Sequence, residues 1–125
     1  MANAKNVLGK PLALCCGNTG FTREGFCYVP QGDMGNHSVC AIMSDEFLSF
    51  SKSKGNDLST AMPQYQFPGL VAGDKWCLCA NRWQEALIEG CAPKVLLSAT
   101  NERCLSMIKL TDLQDHAVLQ KSQKN

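Results

Sequence analysis

The stretch from Gly69 to Gly90 constrains this chain most: it reads as turn, strand and helix in succession, and carries both tryptophans and the only Cys-x-Cys. Gly73-Asp74 signals the turn, because glycine reaches positive φ cheaply and aspartate can hydrogen-bond its own backbone. Trp76–Ala80 has no charge and is too short for a free-standing helix, which predicts a strand. Period two then puts Cys77 and Cys79 on one face, with Trp76 and Leu78 on the other. From Asn81, the expected N-cap, Trp83, Ala86 and Leu87 follow helical spacing, and Gly90 closes the helix.

Upstream, Leu12–Cys16 is a short apolar run in which adjacent Cys15 and Cys16 point to opposite faces if extended, one buried and one freer. Phe21–Val29 is expected to supply one or two edge strands, and Pro30–Gly35 a surface loop without P-loop chemistry. Ser38–Met43 predicts a buried strand, and Ser44 caps a helix with Asp45 and Glu46 in its first turn and Phe47 and Phe50 inward. Gly55 ends that helix, and the prolines at 63 and 68 keep the next stretch irregular, pinned by Tyr65 and Phe67.

Beyond the central unit, Lys94–Ala99 reads as a strand, Thr100 or Asn101 as the cap of one helical turn, and Ser106–Leu110 as a short strand. Thr111-Asp112-Leu113-Gln114 has capping-box form and predicts a last helix through His116. Strands and helices interleave without a regular βαβ rhythm. The expected fold is therefore α+β: a mixed or antiparallel sheet, two main helices and a short C-terminal helix, in one domain over 1–117. Residues 118–125 are expected to form a frayed tail, being polar at their end.

Charge narrows the function classes. A chain of 125 residues with net charge +1 has no electrostatic reason to seek nucleic acid or an anionic membrane. The N-terminal residues lack the apolar core of a secretory signal, which points to the cytoplasm. In that reducing setting the eight cysteines are expected to be thiols that pack, bind metal or do redox work, rather than disulfides.

Several short motifs occur together: Gly25-Phe26-Cys27, His37-Ser38-Val39-Cys40-Ala41, Asp45-Glu46-Phe47-Leu48, Gly55–Thr60, Phe67-Pro68-Gly69-Leu70 and Gly73–Cys79. In this combination the chain, from about Asn6 to Ala117, resembles the uncharacterised, mainly bacterial domain-of-unknown-function family 2237. The resemblance implies a stand-alone cytoplasmic α+β domain and carries no activity, cofactor or catalytic residue. One position departs from the family pattern: Asn101 stands where a histidine is expected.

Three candidate sites follow from the residues. His37, Cys40, Cys77 and Cys79 offer soft ligands for zinc, or a thiol site, if the loop before the first strand folds over the Cys-x-Cys. Set against this, buried cysteines commonly serve as small hydrophobes. Loop-placed Asp33, Asp57, Ser59 and Thr60, with Cys or His, offer an enzyme of unassigned reaction class, although Asp57 also suits a turn held by its own carboxylate. Tyr65, Phe67, Trp76 and Trp83 offer an aromatic pocket for a partner protein or small ligand, or plain core. The leading expectation is a small protein- or ligand-binding module.

Overall fold

Val39–Ile42 (β1) sits at the middle of the sheet because its four residues carry no charge and three of them are fully buried. The computed structural model describes residues 4–17 and 19–118. β2 (Lys75–Leu78) and β3 (Lys94–Val95) both pair antiparallel with β1, giving the order β2-β1-β3. The register sets Cys40 opposite Cys77, and Ala41 between Trp76 and Val95. Alternation sends Val39 and Ala41 to one face of the sheet and Cys40 and Ile42 to the other.

Helices cover the first face. α1 (Asp45–Ser53) starts where the Ser44 hydroxyl accepts from the Phe47 N–H at 3.1 Å, and it buries Phe47 and Leu48. α2 (Ala80–Ile88) buries Ala80, Trp83 and Ala86, and Gly90, at φ +79°, turns the chain away. α3 (Leu110–Asp115) adds Leu113. Trp83 is fully buried and its indole N–H donates to the Pro93 carbonyl at 3.0 Å, so the ring brings no unpaired donor into the core. The arrangement is α+β, with one antiparallel sheet, two main helices and a short C-terminal helix.

The second face is covered by irregular chain. Among the described residues 12–38 no strand or helix forms, so the expected edge strands over Phe21–Val29 are absent. Gly20, Arg23 and Gly25 all lie at positive φ and fold the segment back on itself. A Cβ at Gly20 would stand 2.5 Å from the Phe26 carbonyl oxygen, and one at Gly25 2.5 Å from that of Gly17. This segment delivers Cys15 and Cys27 to the sheet, where disulfides join Cys15 to Cys40 and Cys27 to Cys77. That corrects the expectation of unpaired thiols: cross-strand register places Cys40 and Cys77 side by side, within reach of the covering loop. Cys16 is half-buried against the same cluster and outside both disulfides, its thiol donating to the Lys75 carbonyl at 3.1 Å.

Other boundaries also differ from expectation. α2 is capped by Cys79 rather than Asn81, because the chain turns as soon as β2 ends. β3 keeps two residues and gives way to a 3-10 turn over Leu97–Ala99. Ser106–Leu110 is not a strand; Leu110 opens α3, whose N-cap is Lys109 and not Thr111. Asn101 does cap a 3-10 turn, Glu102–Ser106, by accepting from the Arg103 N–H at 2.9 Å. The irregular stretch before β2 is pinned by buried Leu58, Phe67 and Leu70, while Tyr65 is exposed. Val118 is tied to Val95 by a backbone hydrogen bond of 2.9 Å, and the rest of the expected tail lies outside the described residues.

Candidate functional site

β2 stops at Leu78, and Cys79 turns the chain with φ −59° and ψ 133°, so its thiol stands at the first turn of α2. A helix N-terminus favours negative charge beside it. The Cys79 carbonyl accepts from the N–H groups of Arg82 and Trp83, at 3.0 and 3.1 Å. The loop ahead of β1 docks against this turn, its Asn36 carbonyl accepting from the Ala80 N–H at 2.9 Å. That bond fixes His37, the next residue, beside Cys79.

The Asp33 carboxylate, whose side chain is wholly shielded from solvent, holds His37 twice. It accepts from the His37 backbone N–H at 2.9 Å and lies 2.6 Å from ring Nδ1. Nε2 is then the nitrogen left for proton exchange. Hydrogen bonding to the Cys79 sulfur is the largest influence on His37 and raises its pKa to about 9; burial opposes, while the charge of Cys79 and the bond and charge of Asp33 add to the rise. Gly35 makes the approach possible, since a Cβ there would stand 2.9 Å from His37 Cε1 and 3.2 Å from Cys79 Sγ.

His37 also forms part of the wall of a 210 Å³ pocket with Phe21, Arg23, Trp76 and Cys77. The Phe21 ring centre lies 5.9 Å from that of His37. The Arg23 guanidinium rests over the Trp76 ring at 5.6 Å and has no carboxylate partner among the described residues. Arg23 and Trp76 belong equally to an adjoining 490 Å³ cleft, which continues past Phe67 and Leu70 to the free thiol of Cys16. The two hollows share a wall that carries one unneutralised cation and one aromatic face.

The candidate residues divide among separate places. His37 and Cys79 come together and recruit Asp33. Cys40 and Cys77 are neighbours across β1 and β2, but their sulfurs are in disulfides and are not thiolates, so the four do not form one ligand set here. Asp57, Ser59 and Thr60 form an exposed turn of their own. There the Thr60 hydroxyl and the Ser59 backbone N–H hold the Asp57 carboxyl down to about 2. Phe67 and Trp76 meet edge to face at 5.2 Å and line the cleft; Trp83 is core and Tyr65 faces outward.

Burial raises the pKa of Cys16 and Cys91, and lifts Cys104 to about 12. Asn101 donates its amide to the Cys27 carbonyl at 3.0 Å and caps the turn after it, which is a structural role. His116 caps the end of α3 with its ring against Trp83. Sequence reasoning missed Gly35 and Arg23. The Asp33-x-Gly35-x-His37 spacing was the available signal for the first; nothing local marked the second.

No helix among the described residues is long and apolar enough to cross a membrane. A family model described as "Uncharacterized protein conserved in bacteria" matches residues 5–117. No curated protein matches the chain.

Proposed function

The chain belongs to the DUF2237 family, whose description carries no activity, and we propose that it is a cysteine-nucleophile enzyme acting on a small acyl compound. The observation that carries this reading is the meeting of Cys79 with His37 across Gly35 at a strand-to-helix junction, with the His37 ring held in turn by Asp33. A thiol at a helix N-terminus with an adjacent oriented imidazole is the arrangement in which a cysteine becomes a strong nucleophile. Asp33 holds the ring and stabilises its charged form, as the third member of such a chain does.

In the proposed reaction the Cys79 thiolate attacks the acyl carbon, a thioester forms, and the bond to the leaving group breaks. His37 gives its proton to that leaving group. It then takes a proton from the water that hydrolyses the thioester, and Cys79 is restored as the thiolate. Arg23, unpaired on the shared wall, suits a carboxylate or phosphate on the substrate. The mixed charge offers nothing to nucleic acid or an anionic membrane, and the reading places the chain in the cytoplasm, where the two disulfides would be open to reduction.

The test is covalent trapping. Folded protein incubated with activated esters and thioesters should gain one acyl mass, mapped to Cys79, that hydroxylamine removes. Cys79→Ser should abolish the adduct and His37→Ala should slow it at least tenfold. Acylation confined to Cys16, or none with any acyl donor, defeats the reading. A second reading, a ligand-binding module without chemistry, is favoured by the 490 Å³ cleft beside Trp76. It predicts saturable changes in tryptophan fluorescence with small anions that survive in Cys79→Ser and are lost in Arg23→Ala.

A further inference from the structure

Two disulfides that serve only as crosslinks have no need to touch each other, whereas the ligands of a metal must converge. In this chain the sulfurs of Cys15, Cys27 and Cys77 lie within 4.8 Å of one another, although Cys15 belongs to one disulfide and the other two form the second. The fourth sulfur, that of Cys40, is bonded to Cys15, and Cys40 faces Cys77 directly across the β1–β2 ladder. All four residues are buried, on the sheet face that the helices leave uncovered.

From this convergence we propose that Cys15, Cys27, Cys40 and Cys77, when reduced, form a tetrahedral zinc site that clips the irregular N-terminal segment to the sheet. Zinc–sulfur bonds of about 2.3 Å require sulfurs roughly 3.8 Å apart on every edge of the tetrahedron, a separation within the range the cluster holds. The ligands come in two pairs. Cys40 and Cys77 project from neighbouring strands, whose register fixes their spacing, and Cys15 and Cys27 are brought in by the covering loop. Hydrogen bonds hold both parts: the Cys77 N–H donates to the Thr19 hydroxyl at 2.8 Å, and the Cys40 N–H to the Thr100 hydroxyl at 3.2 Å. The Cys15 N–H donates to the Gly25 carbonyl at 2.7 Å, closing the loop between Cys15 and Gly25, two residues ahead of Cys27. Released from Cys15, the Cys40 sulfur needs only a side-chain rotation to approach its cross-strand neighbour.

The chemistry balances with a dithiol reductant. Each disulfide takes two electrons and two protons from one dithiol, which leaves as its own disulfide. Zinc(II) then replaces the four thiol protons, giving a site of net charge −2. A covering segment with no regular secondary structure is the kind of element that small folds tie down with a structural metal. The site is distinct from the Cys79 chain, which contributes no ligand to it.

The test is zinc uptake by the full chain after reduction with a dithiol and removal of the excess. One zinc(II) per chain is expected, and cobalt(II) in its place should give the intense thiolate-to-cobalt charge-transfer bands of a four-sulfur tetrahedral site. With zinc bound, Cys15, Cys27, Cys40 and Cys77 should resist alkylation while Cys16 and Cys79 react; a chelator should expose all four together. Cys79→Ser and His37→Ala should keep the metal, and Cys40→Ser should lose it. Because Cys40→Ser can fail to fold, the protection pattern of the wild-type chain decides by itself. Reduced, folded protein that takes up no zinc, or metal that depends on Cys79 or His37, overturns the proposal.

Discussion

Gly35→Ala tests the His37–Cys79 pairing. Gly35 does not occupy the left-handed region, so alanine meets no backbone strain, and what it meets is the imidazole and the thiol. The new Cβ would lie 2.9 Å from His37 Cε1, against an ordinary carbon–carbon contact of about 3.5–4.0 Å, so the ring must retreat by roughly 0.6–1.1 Å. The rise of the His37 pKa from 6.5 to about 9 sets a ceiling of about 3 kcal/mol on what favours its charged form. With about a third of the ring in water, roughly 1–2 kcal/mol is a realistic share, and Cys79 supplies the largest part of it. Histidine side-chain NMR across a pH series should therefore show His37 titrating near 9 in the wild type and at least halfway back toward 6.5 in Gly35→Ala. The loss of unfolding free energy should be about 1–2 kcal/mol at pH 6, where the charged ring is fully favoured, and should shrink as pH rises through about 9. An unchanged His37 titration in the variant, or a wild-type ring that already titrates near 6.5, would refute the pairing.

Further expectations concern pH and packing. Because the folded-state pKa of His37 is raised, its stabilising contribution is complete below about 6.5 and disappears as pH rises through about 9. His37→Gln should therefore flatten stability across that interval, read by urea unfolding at each pH. Trp83→Phe leaves the Pro93 carbonyl without its 3.0 Å donor and should cost about 1–3 kcal/mol in urea unfolding, more than a ring-size change alone. Asn101→Ala removes a buried amide bonded to the Cys27 carbonyl and should cost a similar 1–3 kcal/mol while leaving Cys79 alkylation unchanged.

The parts of the fold that rest on local chemistry were legible in the chain. Ser44 before Asp45 and Glu46, the β-prone apolar run through Val39–Ile42, and the Trp83/Ala86 spacing each fix an element through neighbours a few residues away. The segment before β1 was misread because Phe21, Phe26, Cys27 and Tyr28 suggested strands, while three positive-φ residues at 20, 23 and 25 overrode them. Its partners are also remote: the Cys27–Cys77 crosslink spans 50 positions and depends on sheet register. The thiol site was half legible. His37, Cys79 and Asp33 could each be picked out by residue type. Their association hangs on the Asn36–Ala80 hydrogen bond and on the missing side chain of Gly35, and neither is visible until the loop is placed on the helix.

The account turns on Cys79 being the reactive thiol, and competitive labelling measures that directly. Folded protein at pH 7, treated with less than one equivalent of iodoacetamide and mapped by peptide mass, gives the order in which Cys16, Cys79, Cys91 and Cys104 react. Cys79 is expected first by at least tenfold over Cys16, with Cys91 and Cys104 silent behind their burial, and His37→Ala should erase the lead of Cys79. Labelling of Cys16 ahead of Cys79, or a Cys79 rate that His37→Ala leaves untouched, would contradict it.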